Sequence, residues 1–207
     1  MNSEKRDLLE EIIKEETQFI KESHKFKAGC LMLDLKYRIK NWKDILKIID
    51  PDDVYDDSTE EFGLEKDPHI TVLFGFDKNV VGKNVEDLFE DFSQNVKLQI
   101  RGISLFPPRE GSPFEVVKFD IVSEDLQKLN EMCRQLPHKN SFPEYHPHMT
   151  IAYVKKGTGQ RYVKELPEPL LMEANAFKFS SSDKNTTEWK IKKKYRYNID
   201  LNGEGEQ

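Results

Sequence analysis

The sequence predicts an α+β fold made of two similar units, and three observations point to it. The chain has 207 residues, which suits one domain or two closely packed lobes. Short apolar runs with the two-residue period of β-strands alternate with segments of helical period. The order strand, helix, strand, helix, strand occurs twice, and the second strand of each set opens with His-x-Thr. Two copies are too few for a repeat array, so we expect two facing units with these strands side by side.

The first unit follows an amphipathic segment. Residues 4–24 carry apolar side chains near helical spacing, with Ser3 as the N-cap, and predict a helix that extends the fold. Asn41 is predicted to cap a second helix that ends before Pro51, and Asn84 to open a third. The predicted strands of this unit are 28–35, 69–76 and 96–106.

The second unit repeats this order after a turn-rich connection. Ser123 is the predicted N-cap of an amphipathic helix, and a short helix is predicted at 160–166. We expect three parts: an N-terminal extension 1–27, one domain 28–201 whose lobes are joined near 107–113, and a tail 202–207. The predicted strands of this unit are 114–122, 148–154, 170–181 and 188–201.

Composition excludes several classes of protein. The formal net charge of −6 argues against non-specific binding of duplex DNA but leaves open an anionic ligand at a local basic site. No apolar run approaches the ~20 residues of a membrane span. The N-terminus lacks the apolar stretch of a secretory signal. Cys30 and Cys133 lie in apolar patterns and are expected to be reduced core residues of a cytoplasmic protein.

The duplicated His-x-Thr motif carries the chemistry. Strand periodicity places His69 and Thr71 on one face of their strand, and His148 and Thr150 on one face of theirs. A single motif of this kind is usually structural, but two of the five histidines occupy equivalent places, each preceded by Pro and followed by x-Thr. Imidazoles transfer protons near pH 7, and hydroxyls can hydrogen-bond an oxyanion. The pattern therefore favours phosphodiester chemistry.

The paired PHITV and PHMTI segments resemble the two-histidine (2H) phosphoesterase superfamily, which includes 2′-5′ RNA ligases and cyclic phosphodiesterases. The surrounding GCLMLDL, FGLEKDPHITVLFGF and HPHMTIAYV are most similar to phage-encoded anti-CBASS nucleases, which degrade cyclic oligonucleotide signals of a bacterial immune system. The similarity covers about residues 28–201. It implies a bilobal fold with two pseudo-symmetric antiparallel sheets, helices outside and a central cleft. It also implies that a phage-encoded protein acts in the bacterial host cytosol.

The same resemblance implies a metal-independent and cofactor-free reaction at His69, Thr71, His148 and Thr150. One histidine would deprotonate a ribose 2′-hydroxyl, which attacks phosphorus, while the other protonates the departing 5′-oxygen and a 2′,3′-cyclic phosphate forms. Which histidine is the base stays open at this point, as do base preference, ring size and oligomeric state. Another 2H activity is an alternative: 2′-5′ oligoadenylate cleavage, cyclic-phosphate opening or RNA ligation. A non-catalytic sponge for cyclic nucleotides is a further alternative.

Other residues are candidates for binding. Trp189 and Tyr37 are expected to stack on bases, each worth ~1–3 kcal/mol, although Trp189 also fits a core position on the last strand. Glu144 is expected to contact a base edge or to be a solvated loop residue. His146 and His148 have the spacing of a metal pair, but no further ligands lie nearby in sequence, so we predict no metal site and treat His146 as a loop residue.

Overall fold

The computed structural model describes residues 28–36, 38–57, 62–90, 95–106, 111–139, 144–174, 176–190 and 196–202. The predicted helix 4–24 and most of the predicted tail lie outside the described residues. The α-helices are α1 (Trp42–Leu46), α2 (Gly82–Glu90) and α3 (Glu124–Cys133), and 3₁₀-helices span Pro51–Asp53 and Gly159–Tyr162. The strands are β1 (Gly29–Asp34), β2 (His69–Phe76), β3 (Val96–Leu105), β4 (Phe114–Val122), β5 (His148–Lys155), β6 (Lys164–Ala174), β7 (Ala176–Ser180) and β8 (Thr186–Lys190).

These strands form two four-stranded antiparallel sheets. The first sheet has the order β2-β1-β7-β8, and the second has the order β5-β4-β3-β6. The two His-x-Thr strands, β2 and β5, therefore hold equivalent positions, and they contact each other. The predicted α+β fold with two pseudo-symmetric antiparallel sheets is confirmed.

The sheets exchange strands, which differs from the predicted succession of two units. Strand β3 was expected to complete the first unit, but it pairs with β4 and β6 in the second sheet. The predicted strand 170–181 is two strands: β6 ends at Ala174, and β7 pairs with β1 in the first sheet. Residues 107–113 thus connect neighbouring strands of one sheet. The division into extension, domain and tail stays a prediction.

Three other elements differ from expectation at their ends. Helix α2 begins at Gly82, two residues before Asn84, which was predicted to open it. The short helix predicted at 160–166 is the 3₁₀-helix Gly159–Tyr162, and β6 begins before that predicted helix would end. The predicted strand 188–201 corresponds to β8, which begins at Thr186, and beyond residues 191–195, which lie outside the described residues, Tyr197 makes a parallel bridge with Ile39. Side-chain alternation alone does not show where the chain leaves one sheet partner for another.

Capping residues anchor the helices in two different ways. The Ser123 hydroxyl accepts the backbone N–H of Leu126 at 3.0 Å, as predicted, and satisfies an orphan donor of α3. Asn41 lies at the N-cap of α1 but does not cap it with its side chain. Its amide instead donates to the carbonyl of Ile199 and accepts from the N–H of the same residue. Asn41 therefore fastens the C-terminal segment to the start of α1.

The outer edges of the two His-x-Thr strands are covered by loop segments. Lys139 donates its backbone N–H to Gly75 of β2, and Glu65 donates to Ile151 of β5. Gly75 has φ of +100°, and a Cβ there would lie 2.1 Å from the Lys139 carbonyl oxygen. Glycine is required at this position because a side chain would be strained and would push the covering segment away. The covered edges hold both motif strands in fixed register.

Asn130 ties helix α3 to the first motif strand. Its side chain is 3% exposed, and its amide donates to the Val72 carbonyl at 2.6 Å and accepts from Arg134 Nε at 2.8 Å. We expect Asn130→Ala to lower the free energy of unfolding by about 1–3 kcal/mol, because a buried carbonyl loses its donor. Urea unfolding followed by circular dichroism measures this loss. The exposed Lys128→Ala on the same helix is the matched control and should stay within about 0.5 kcal/mol of wild type.

Candidate active site

Both motif histidines are held by the same kind of hydrogen bond. His69 Nδ1 lies 2.8 Å from the Asp67 carbonyl oxygen, and His148 Nδ1 lies 2.9 Å from the His146 carbonyl oxygen. A carbonyl only accepts, so each Nδ1 carries the proton and donates it. The Nε2 atom of each neutral imidazole is therefore the proton acceptor, and the hydrogen bond fixes the ring orientation. Each ring has its free nitrogen available for proton transfer.

The threonines share a face with the histidines. Strands β2 and β5 have the same sequence of burial over their first seven positions, with half-buried His and Thr separated by a buried apolar residue. Ile70 and Met149 fill those apolar positions, and each is 0% exposed. The structure thus places all four predicted catalytic residues on the faces opposite to the core, with the two motif strands in contact.

A tyrosine joins the two motifs. Tyr145, three residues before His148, donates its hydroxyl to the Thr71 carbonyl at 2.9 Å. Its own carbonyl accepts from Gln127 of α3. Burial raises the pKa of the Tyr145 phenol well above its ordinary value, so the hydroxyl stays protonated and donates. The loop before one motif is thereby fixed to the strand of the other.

Cys30 lies on this face as well, which the sequence did not indicate. Its thiol is hydrogen-bonded to Thr71, and the residue is half-buried, whereas Cys133 is 0% exposed in the core as predicted. Burial raises the pKa of the Cys30 thiol to about 12 despite that hydrogen bond. The thiol is therefore protonated at neutral pH, which argues against a nucleophilic role.

A lysine beside the second motif was also missed by the sequence analysis. Lys118 pairs in register with Thr150, and its side chain is only 12% exposed. Its ammonium donates to Asp120 Oδ1 at 2.6 Å and to Ser104 Oγ at 2.8 Å. The same ammonium lies 5.0 Å from the ring centroid of Phe106, which contacts the His148 ring edge-on at 4.6 Å. The available signal was Lys and Asp alternating with buried residues in VVKFDIV.

These surroundings act on His148. Its pKa is lowered to about 4, first by loss of hydration around the imidazole and then by the charges of Lys118 and of protonated His69. The His146 carbonyl and the Asp120 carboxylate oppose this shift. His148 is consequently neutral at pH 7 and able to accept a proton. The contribution of His69 to this shift also places the two imidazoles within electrostatic reach of each other.

The structure describes two of the three predicted substrate-binding residues, Trp189 and Glu144. Trp189 pairs with Phe177, which pairs with Leu33, so Trp189 lies on the core face of the first sheet and packs against the core. That position supports the core alternative rather than base stacking. Glu144 is exposed and lies 3.4 Å from His146 Nε2. Tyr37 lies outside the described residues.

The His146-x-His148 pair does not converge on one point. The His146 side chain is exposed and faces Glu144, whereas His148 is hydrogen-bonded toward the His146 carbonyl. Among the described residues, no group of three or more His, Cys, Asp or Glu side chains is placed to hold a metal ion. Within the same part of the chain, no helix is long and apolar enough to cross a membrane.

Comparison with solved structures identifies the fold. The structure is similar to Usb1 of Kluyveromyces marxianus with a TM-score of 0.51 and 9% sequence identity, over 78% of this chain and 97% of that one. The same protein with uridine monophosphate gives a TM-score of 0.46 at 8% identity, over 78% and 97% of the two chains. A structure described as a phosphoesterase gives 0.42 at 11% identity, over 79% and 95%.

Comparison of the sequence places the chain in a family. No curated protein matches it at a significant level. The family model of the 2′-5′ RNA ligase superfamily matches residues 50–186, a span that contains both His-x-Thr strands. The shared hydrogen bonds of His69 and His148, the equivalent burial of the two strands and the Usb1-like fold agree with that match. The chain therefore belongs to the 2′-5′ RNA ligase superfamily, within the two-histidine phosphoesterases that its paired motifs predicted.

Proposed function

We propose that this protein is a metal-independent phosphodiesterase that cleaves cyclic di- or oligonucleotides of the kind used as bacterial immune signals. The activity would be of the anti-CBASS type, exerted in the cytosol of a bacterial host. The family supports phosphodiesterase chemistry. The cyclic substrate is proposed from the similarity of the segments around the two motifs to the anti-CBASS nucleases.

One observation carries the catalytic part of the proposal. Two histidines with the same Nδ1 hydrogen bond stand on two strands that contact each other, each with a threonine on the same face. Transfer of a phosphoryl group to a neighbouring hydroxyl needs one base at the nucleophile and one acid at the leaving oxygen. Two fixed imidazoles supply both groups without any further cofactor.

The proposed reaction assigns a task to each side chain. One neutral Nε2 takes the proton of a ribose 2′-hydroxyl, and the oxygen attacks the adjacent phosphorus. The other imidazole, protonated at Nε2, gives its proton to the departing 5′-oxygen. Thr71 and Thr150 donate hydrogen bonds to the non-bridging oxygens, whose charge grows in the transition state. The products are a 2′,3′-cyclic phosphate and a free 5′-hydroxyl.

A second candidate is another activity of the same superfamily. The family description itself favours action on 2′-5′ linkages or on RNA ends. A non-catalytic sponge is less well supported, because holding a nucleotide requires neither the duplicated histidines nor their fixed tautomers.

A substrate panel distinguishes these functions. Purified full-length protein is incubated with 3′-5′ cyclic dinucleotides, cyclic trinucleotides, 2′-5′ oligoadenylate and linear RNA with a 2′,3′-cyclic phosphate end, and the products are separated by chromatography. The proposal expects cleavage of at least one cyclic oligonucleotide with a 2′,3′-cyclic phosphate among the products. Exclusive cleavage of 2′-5′ oligoadenylate, or exclusive reaction at RNA ends, would establish the second candidate instead.

Turnover is expected to persist in excess EDTA. Proton transfer by imidazoles and hydrogen bonds from threonine hydroxyls need no metal ion, and the histidine pair His146 and His148 does not converge. Initial rates measured with and without the chelator should agree within about twofold, a difference of roughly 0.4 kcal/mol in the barrier. Loss of activity on chelation with recovery on addition of zinc or manganese would contradict the mechanism.

A further inference from the structure

The two His-x-Thr motifs differ in the residues that pair with their threonines. Thr71 pairs in register with Met32 on β1, whereas Thr150 pairs with Lys118 on β4. The histidines themselves pair with equivalent residues, His69 with Asp34 and His148 with Asp120. The pseudo-symmetry is therefore broken beside the threonines, where Met32 stands on one side and Lys118 on the other. One strand further out the order is reversed, with Lys178 beside Met32 and Ser104 beside Lys118.

The ammonium of Lys118 is held in place. It donates to both Asp120 and Ser104, and the Ser104 hydroxyl donates to the same Asp120 oxygen at 2.7 Å. The Phe106 ring covers the ammonium and contacts the imidazole of His148. This arrangement fixes a positive charge close to His148 and shields it from water, which strengthens its effect on a neighbouring titratable group.

The charged groups around His148 come from two strands and one loop. His148 has Lys118 and Asp120 on β4 and His69 on β2, and the Asp120 carboxylate is already paired with Lys118. The exposed pair of Glu144 and His146 lies in the loop before it.

His69 has a different set of charged neighbours. Its register partner Asp34 accepts the backbone N–H of Lys36 at 2.8 Å, and Lys178 of β7 pairs in register with Met32. The Lys36 ammonium pairs with Asp67 at 2.5 Å, and His148 stands on the facing strand. Asp34 beside His69 thus accepts a backbone N–H, whereas Asp120 beside His148 is paired with the largely buried Lys118.

We propose that Lys118 makes the two histidines unequal, so that His148 is the general base and His69 the general acid. A fixed cation disfavours a second positive charge on His148, which keeps its Nε2 free to accept a proton. Beside Thr71 the equivalent position holds the uncharged Met32, and the lysine of that row, Lys178, lies one strand further away. This assignment rests on the proposed function, and Lys118 acts in it as a positioning residue through its charge.

Cleavage in this assignment moves two protons. The proton of the 2′-hydroxyl moves to His148 Nε2, and the 2′-oxygen forms a bond to phosphorus. The bond from phosphorus to the 5′-oxygen breaks, and the proton of His69 Nε2 moves to that oxygen. His148 ends protonated and His69 neutral, and exchange with solvent restores the starting state.

The first test follows the titration of His148 without substrate. Imidazole carbon-proton NMR spectra of the full-length protein, assigned with His148→Ala, should show His148 neutral down to about pH 4. Lys118→Met introduces methionine, the residue that pairs with Thr71 in the other motif. Loss of the lysine charge should raise the titration midpoint of His148 by roughly one pH unit, which is at the lower end of the effect of a close charge. Lys118→Arg keeps the charge and should restore a low midpoint. Lys178→Met on β7, beside Met32, is the matched control and should leave the His148 midpoint unchanged.

A second variant with the opposite expected effect on the pKa of His148 keeps the inference testable if Lys118→Met does not fold. Asp120→Asn removes the carboxylate that raises the pKa of His148, so the midpoint should fall or leave the accessible range. In kcat/KM, which reports the free enzyme, the acidic limb should move to higher pH in Lys118→Met. A His148 midpoint near its ordinary value in wild type, or no movement in either variant, would overturn the inference.

The second test identifies the general acid chemically. The panel substrate that wild type cleaves fastest is prepared with sulfur in place of the bridging 5′-oxygen, because a thiolate leaves without protonation. His69→Ala should lose about 10²–10⁴-fold on the oxygen substrate but less than about tenfold on the sulfur substrate, whereas His148→Ala should stay impaired on both. Rescue of His148→Ala instead of His69→Ala would reverse the assignment.

The two proposals fail in different ways. If no panel member is cleaved by wild type, the proposed function fails, and the role of His148 as base falls with it whatever the NMR titration shows. If a substrate is cleaved but His148 titrates near its ordinary value, or the sulfur substrate rescues the other histidine, the proposed function stands and only the assignment of base and acid is overturned.

Discussion

Replacement of His69 or His148 by alanine is expected to lower the single-turnover rate of phosphodiester cleavage by about 10²–10⁴-fold each. Each variant loses one of the two proton-transfer groups whose Nε2 atoms are set by the hydrogen bonds to the Asp67 and His146 carbonyls. Because both groups act in one transition state, the double variant should be only slightly slower than either single variant. Rapid-quench measurement of product formation at saturating enzyme checks this expectation.

His138→Ala is the matched control for these variants. His138 makes the same type of hydrogen bond, from Nδ1 to the Leu136 carbonyl at 2.8 Å, but it lies on the segment that covers β2 rather than on a motif strand. The His138→Ala variant should cleave the substrate at a rate close to that of wild type. Losses that multiply in the double variant would show that the two histidines act in separate steps, and an effect of only one histidine would contradict paired acid-base catalysis.

A substrate whose 2′-hydroxyl next to the scissile phosphate is replaced by hydrogen should bind but not be cleaved. The hydroxyl is the nucleophile in the proposed reaction, so its removal eliminates product formation. Affinity should change only by the value of a lost hydrogen bond, ~0.5–1.5 kcal/mol. Calorimetric titration gives the affinity, and chromatography after prolonged incubation gives the cleavage.

The control for this experiment is a cyclic dinucleotide that lacks the 2′-hydroxyl next to only one of its two phosphodiester linkages. The intact linkage should be cut at the normal rate and the deoxy linkage should remain, which reports both results within one molecule. Cleavage of the deoxy linkage at a comparable rate would mean that water or a group of the protein attacks phosphorus, and the roles given to the imidazoles would have to change.

The motif strands were predictable from the sequence almost to their ends. The predicted strand 69–76 has the same bounds as β2. The predicted strand 148–154 corresponds to β5 without its last residue, Lys155. Alternation of apolar residues defines such strands locally, and proline before each histidine marks their beginning. The pairing of His with Thr on one face follows from the same period. Fold class and the four catalytic candidates thus came from short-range patterns that occur twice.

Strand partners were not predictable in this way. Val96–Leu105 has the pattern of a strand in either sheet, and nothing in its own sequence indicates that it pairs with Phe114–Val122 and Lys164–Ala174. The break between Ala174 and Ala176 sends two adjacent strands into different sheets without a strong turn signal. Partner choice depends on long-range packing, which a local period does not encode.

The residues that lie beside the catalytic candidates were not predictable from the sequence either. Lys118 comes next to His148 because β4 pairs with β5, and Phe106 because β3 pairs with β4, so their proximity depends on the strand partners. The sequence left Trp189 open between base stacking and a core position, and the register with Phe177 puts it on the core face. The sequence showed which groups could do chemistry, and the pairing of strands showed what stands beside them.

The most direct test of the central claim measures cleavage and binding on the same protein sample. Wild type, His69→Ala and His148→Ala are each mixed with the cyclic dinucleotide that binds most tightly, and affinity and single-turnover cleavage are recorded in parallel. We predict that all three bind with similar affinity and that only wild type converts the ligand rapidly, by about 10²-fold or more over either variant. Tight binding by wild type without any cleavage would contradict the proposed phosphodiesterase activity and would identify a nucleotide-binding sponge.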